Sequence, residues 1–232
     1  NKYSLSEVYK SKNVLLSNPN FEKYMSLSMA DDLIKSQMNK IKIKKKIISK
    51  ADKFFKKYLY SKNHKILGVH LRGSNLKTCR GCPLPPTPEI MIKHIETLLK
   101  KNDYNKIFLV TEENKYLRKV IKHFGNKCVF YNSYRMDEID SFKIYPRNNH
   151  RYLLGEEILI ETILLSKCDG LTFVKSNVVS AAINLSKKKI KNHEIFLGFN
   201  SENKIISWFY WYIKKLFPEK IWGLSILKTH EY

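Results

Sequence analysis

From Asp31 to Tyr60 apolar residues recur at Leu33, Ile34, Met38, Ile41, Ile48, Phe54, Phe55 and Leu59. That spacing predicts a long basic helix, with the lysine run from Lys42 to Lys50 as its solvated face. The period then shortens. Ile66-Leu67-Gly68-Val69-His70-Leu71 is a brief, mostly apolar run ending at Arg72-Gly73, which reads as a buried strand and a turn. A loop rich in Cys, Gly and Pro runs to Pro86, and Thr87-Pro88-Glu89 opens a helix. The threonine is a capping hydroxyl, the proline suits the first turn, and the acid meets the positive end of the helix. Met91, Ile95 and Leu98 give that helix its apolar face.

Ile107-Phe108-Leu109-Val110 reads as the next strand, followed by Leu117, Val120, Ile121 and Phe124 at helical spacing and a stop at Gly125. Cys128 to Tyr131 is a further strand, and residues 132–152 are polar and irregular. A loop of that length inside a compact domain is usually functional or mobile. Gly155 to Lys167 predicts a helix, Gly170 to Val174 a strand, Ser176 the cap of a helix to about Lys187, and Glu194 to Leu197 a last strand. Strand and helix alternate from Ile66 to Leu197, so the expected fold class is α/β: a Rossmann-like parallel sheet covered on both faces. The expected organisation is a helical segment over 1–60, the Rossmann-like domain over 61–200, and an aromatic, basic segment over 201–232.

Charge changes the picture of partners. The 232 residues carry 43 basic and 21 acidic side chains, a net charge of +22 that favours anionic ligands. Abundant Lys, Ile and Asn give part of this a purely compositional origin. Four cysteines are few. Cys79-Arg80-Gly81-Cys82 is a single C-x-x-C without a second pair, a poor metal signal. The expectation is therefore free thiols, no metal, and a reducing, cytoplasmic setting. No run of about 18 apolar residues predicts a transmembrane helix, and no signal peptide is evident. The opening residue is Asn1 rather than Met, in keeping with a processed or trimmed chain.

In open α/β sheets ligands bind beyond the carboxyl ends of the strands, and three polar clusters fall at such ends. The first is His70, Arg72, Gly73, Ser74 and Asn75; alternation turns His70 and Arg72 to one side, and Arg offers a planar fork to phosphate oxygens. The second is Glu112 and Glu113, acids that could equally serve a helix dipole. The third is Ser176 and Asn177, ordinary capping residues at a helix N-terminus that is also a ready diphosphate site. Neither a P-loop nor the G-x-G-x-x-G dinucleotide fingerprint is present.

The ordered set resembles the α-1,6-fucosyltransferases and bacterial nodulation fucosyltransferases. Gly68-Val69-His70-Leu71-Arg72-Gly73-Ser74-Asn75 resembles their G-V-H-x-R-[RG]-T-D segment, and Ile107 to Glu113 their strand ending in Thr-Asp-Asp. Ile160 to Asp169 resembles their acid-containing helix ending in Leu-Ser-x-x-Asp, and Ser176 to Ser180 the segment that follows. The match spans roughly residues 30–200. The resemblance implies a GT-B-type, inverting, metal-independent glycosyltransferase, with GDP-fucose as donor substrate, a glycan as acceptor and no cofactor. It places His70 near guanine, Arg72 on the β-phosphate as the catalytic residue, and Glu161 on the base. Ser176 and Asn177 would hold phosphate, and Glu112 and Glu113 take the place of the acidic pair. The chain departs from the pattern at Ser74-Asn75, where Asn cannot act as a carboxylate base, and at Leu76 to Arg80, which is basic where the family carries an acid.

Trp208-Phe209-Tyr210-Trp211-Tyr212-Ile213-Lys214-Lys215-Leu216-Phe217 is the densest aromatic segment. Packing of these rings into a core or onto another domain is the favoured expectation. The alternative is peripheral membrane contact through Trp208, Trp211 and neighbouring lysines. Two other functions compete with the transferase: a non-catalytic nucleotide- or glycan-binding relative, which Asn75 would suit, and a basic nucleic-acid-binding module. The last is disfavoured because the lysines are scattered rather than gathered on one face.

Overall fold

The computed structural model describes residues 42–77, 79–137 and 144–216. Its described elements belong to one compact unit that begins at Ile43. Residues 1–41 of the expected N-terminal segment and the tail beyond Leu216, with Trp222, lie outside the described residues.

Helix α1 (Lys45–Phe54) continues into a π-helical turn, Phe55–Leu59. Then come β1 (Ile66–Leu71), a 3-10 turn at Ser74–Lys77, and α2 (Pro88–Lys101). Next are β2 (Lys106–Thr111), α3 (Asn114–Phe124), β3 (Cys128–Val129), α4 (His150–Leu165) and β4 (Gly170–Phe173). The chain closes with α5 (Asn177–Leu185), β5 (Lys191–Glu194) and α6 (Lys204–Leu216). The strands form a single parallel sheet in the order β3-β2-β1-β4-β5, the Rossmann-like α/β architecture expected.

Alternation along the strands explains the two covered faces. Leu67, Val69, Leu71, Ile107 and Leu109 pack with Met91 and Ile95 of α2 and Val120 of α3. Ile66, Phe108, Val110, Leu171 and Phe173 pack on the other side with Ile47 and Ala51 of α1, Ile160 and Leu164 of α4, and Val179 and Ala182 of α5. Apart from the alanines, each such side chain contributes roughly 1.5–3 kcal/mol on full burial. Gly68 lets the end of α4 approach: a Cβ there would lie 2.5 Å from Leu171 Cδ2 and 3.0 Å from Leu165 Cδ2. Thr87 caps α2 by accepting from the Ile90 N–H at 3.3 Å, as its sequence signature implies.

Several expectations are corrected. The basic helix starts at Lys45, because Lys44 is extended (φ −57°, ψ 130°). Helix α4 starts at His150, five residues before Gly155, and takes in part of the stretch expected to be irregular. The last strand is Lys191–Glu194 rather than Glu194–Leu197. The apolar Ile195 and Leu197 fill the core just past the strand end, while the edge strand itself is polar. Cys79 and Cys82 form a disulfide, not free thiols: the turn between them, with Gly81 at φ +61°, brings their Cα atoms to 5.5 Å, within bridging range. Cys128 and Cys168 are free and buried. The described part of the tail is a helix over Lys204–Leu216, on which Trp208, Phe209, Tyr210 and Tyr212 are exposed rather than packed into the core of this unit; the Trp211 side chain lies outside the described ones.

Candidate functional site at the strand-order reversal

After β1 the chain moves outward through β2 to β3, then crosses back to β4 on the other side of β1. The carboxyl ends of β1 and β4 therefore diverge, and a crevice opens between the loops that leave them. A cavity of about 240 Å³ lies there, with His70, Arg72, Glu112, Glu157, Glu161 and Asn177 among its lining residues. A larger cavity of about 620 Å³ sits at the opposite, amino end of the sheet. Four of its charged groups form ion pairs, Lys167 with Asp52 at 2.9 Å and Lys188 with Asp169 at 2.6 Å. Asp169, the acid that ends the α4 motif, also accepts from the Ile66 N–H at 2.7 Å, so it braces the sheet far from the crevice.

The carboxyl-end cavity holds less than a typical small-molecule site of roughly 300–1,000 Å³. It suits one group of a ligand whose remainder lies along the open crevice. On one wall stands Arg72, half-buried at the end of β1, with no ion-pair or hydrogen-bond partner among the described residues. Beside it His70 is buried, and burial, reinforced by the Arg72 charge, pushes its imidazole down to about 3. His70 is thus a neutral ring at any ordinary pH. Its Nδ1 lies 3.3 Å from Ser176 Oγ. Ser176 is the cap of α5, accepting from the Val179 N–H at 3.4 Å. The first backbone bond of α5 runs from Ser180 N to Ser176 O at 3.0 Å, so the N–H groups of Asn177 and Val178 precede the helix's own ladder. A guanidinium and a helix N-terminus therefore meet at one crevice, an arrangement suited to a diphosphate.

The opposite wall is acidic. Glu157 and Glu161 stand four residues apart on α4, on one helical face. Glu161 is buried; burial raises its carboxyl to about 7, against the pull of Arg135 and the Ser133 hydroxyl. Glu161 Oε1 accepts from Ser133 Oγ at 2.6 Å and from Arg135 Nη2 at 3.1 Å. Arg135 also donates to the carbonyls of Thr111 at 2.9 Å, Ser133 at 2.9 Å and Tyr131 at 2.8 Å. Arg147 grips Glu157 with both nitrogens at 2.8 and 2.7 Å, and its guanidinium lies 5.0 Å over the Tyr134 ring.

His70 and Arg72 of the first cluster, Asn177 of the third and Glu161 thus share one crevice, and Ser176 meets it through His70. The acidic pair divides. Glu112 lines the cavity and accepts from the Gly73 N–H at 3.3 Å. Glu113 is buried and paired with Lys77 at 2.5 Å; it is not among the residues that line the cavity. A Cβ on Gly73 would collide with the Glu113 carboxylate and with Tyr116, so the glycine serves close packing of this turn. Ser74 and Asn75 lie on the 3-10 turn that follows. Arg135, Arg147, Ser133 and Glu157 were not singled out from sequence. Their signal was faint: two arginines in a polar stretch, and a second acid one turn before Glu161.

No family model matches the chain, and no curated protein matches it. Among solved structures it is similar to NodZ α-1,6-fucosyltransferase co-crystallised with GDP, at 18% identity and TM-score 0.43, over 65% of this chain and 44% of that one. It is similar to fucosyltransferase NodZ from Bradyrhizobium at 17% identity and TM-score 0.40, over 61% and 42%. It is similar to POFUT1 in complex with GDP-fucose at 11% identity and TM-score 0.41, over 65% and 44%. The chain spans less than half the length of each of these structures.

Proposed function

We propose that the crevice binds the diphosphate and base of a GDP-sugar, and that the chain is the donor-binding part of a GT-B-type glycosyltransferase. The observation that carries this reading is Arg72: a half-buried guanidinium with no acidic partner among the described residues, beside a neutral His70 and lining the same cavity as the N-terminus of α5. Leaving a cation unpaired in a partly buried site is costly unless an anion occupies it. The motif resemblance supplies the finer reading, in which the sugar is fucose, the acceptor is a glycan and the configuration inverts.

In that reaction the acceptor hydroxyl oxygen bonds to the anomeric carbon from the face opposite the leaving group. The bond from that carbon to the β-phosphate oxygen breaks, and the electron pair departs with GDP. Negative charge grows on the diphosphate as the bond lengthens. Arg72, with the first-turn N–H groups of α5, is placed to stabilise it. Glu161 would accept from N–H donors of the base. The hydroxyl proton passes to solvent water, because Asn75, which replaces the acid of the family pattern, cannot accept it as a carboxylate would.

Calorimetric titration with GDP tests the reading, with UDP and single-stranded RNA as controls. Arg72→Ala is expected to weaken GDP binding roughly 10- to 150-fold, the worth of a charged hydrogen bond, and Arg72→Lys to recover only part of it. Equal GDP affinity in wild type and Arg72→Ala would overturn it. A second reading keeps binding and drops turnover, favoured by Asn75 and by the Lys77–Glu113 pair that neutralises the neighbouring acid. GDP binding without release of GDP from GDP-fucose, across a panel of glycan acceptors, would select it.

A further inference from the structure

The last helix presents a surface that the donor crevice does not use. Its sequence, Lys204 to Leu216, contains three lysines and no acid. Ile205, Trp208, Phe209 and Tyr212 follow the spacing of one helical face, and they are 75%, 49%, 55% and 45% exposed. The rings touch: Trp208 and Tyr212 have centroids 4.4 Å apart, and Trp208 and Phe209 6.4 Å. A row of adjoining large apolar side chains in water marks an interaction site.

This helix is latched in place. The Asn203 side chain caps it, accepting from the Ile205 N–H at 2.9 Å. Ser207 is fully buried and donates to Ser201 O at 2.5 Å. Upstream, Leu84 N donates to Gly198 O at 2.9 Å, Asn200 N to Cys82 O at 2.8 Å and Asn200 Nδ2 to Leu76 O at 2.8 Å. The row is therefore fixed to the loop that leaves β1.

We propose that this face of α6 seats the protein on the surface of an anionic lipid bilayer, independently of what the crevice binds. Trp208 and Tyr212 pair apolar ring faces with polar edges, the combination that suits the headgroup layer, and Phe209 and Ile205 reach the acyl boundary beneath. The net charge of +22 draws the chain to anionic headgroups. The same charge opposes pairing of two copies of the chain across this face. At 13 residues the helix is about 20 Å long, so it lies in the plane of the surface rather than crossing it.

The full chain is sedimented with phosphatidylcholine vesicles prepared with and without phosphatidylglycerol. Light scattering in the absence of lipid reports self-association, and thermal melting reports folding. Binding is expected only to the vesicles containing phosphatidylglycerol. Trp208→Ser combined with Phe209→Ser is expected to weaken it roughly tenfold or more, from the lost ring burial, with an unchanged melting temperature. Three results would overturn the proposal: no binding to anionic vesicles, undiminished binding by the double variant, or a dimer that the double variant dissolves while vesicles go unbound. Should the double variant unfold, brominated lipids replace it as the readout, and quenching of the wild-type tryptophan fluorescence is required.

Discussion

Two side chains of the crevice, His70 and Glu161, are held toward their neutral forms by the same cause, burial, with opposite consequences for ligand binding. His70 is pushed down to about 3 and stays uncharged throughout the useful pH range. Glu161 is pushed up to about 7 and changes charge in the middle of it. A base offering N–H donors needs the carboxylate. GDP is therefore expected to bind up to roughly tenfold more tightly at pH 8 than at pH 6, the change in ionised fraction for a group titrating near 7. The terminal phosphate of GDP titrates in the same range, so Glu161→Gln is the control. Calorimetry on that variant should retain only the phosphate's share of the pH dependence, and an unchanged profile would remove Glu161 from base recognition. The linkage to stability has the reverse sign. The folded carboxyl titrates higher than the unfolded one, so the fold binds the extra proton between about 4.5 and 7, and this contribution is lost as pH rises through that window.

Among the elements, β1 was the most legible in the sequence, because a strand buried on both faces must be apolar at every position, and Ile66–Leu71 is, save Gly68 and His70. The exceptions have physical reasons. Gly68 is where Leu165 and Leu171 close on the strand, and His70 is where the crevice begins. Gly68→Ala should accordingly cost about 1–3 kcal/mol, the penalty of overpacking, read as a lower urea midpoint at unchanged slope. Strand β5 was misplaced because an edge strand needs no apolar pattern: its Lys191–Glu194 run is polar, while the conspicuous Ile195 and Leu197 belong to the core beyond it. Arg135 was illegible for another reason. Three of its partners are backbone carbonyls, which any sequence supplies, so no residue pattern announces it. The direction of α6's apolar face was hidden too, since amphipathic spacing is the same whether the face meets a core or a surface.

At the scale of the whole molecule, a net charge of +22 on 232 residues is a standing repulsion that the compact state must tolerate. Exposed ion pairs such as Arg118–Asp137 and Lys119–Glu89 offset little of it. Moving from low to physiological salt should therefore raise the melting temperature, by roughly 2–4 °C for each kcal/mol of repulsion screened. Differential scanning calorimetry over a salt series checks this, and a falling temperature would mean that attractive pairs outweigh the excess charge. The charge is nevertheless handled differently at the two ends of the parallel sheet. At the amino ends of the strands Asp52, Lys167, Asp169 and Lys188 cancel in pairs, whereas at the carboxyl ends Arg72 has no ion-pair partner among the described residues. The molecule thus has two poles, one closed upon itself and one with valence to spare. Substitutions in the loops at the open pole can retune what is recognised, while the closed pole keeps the strands in register and need not change with the ligand.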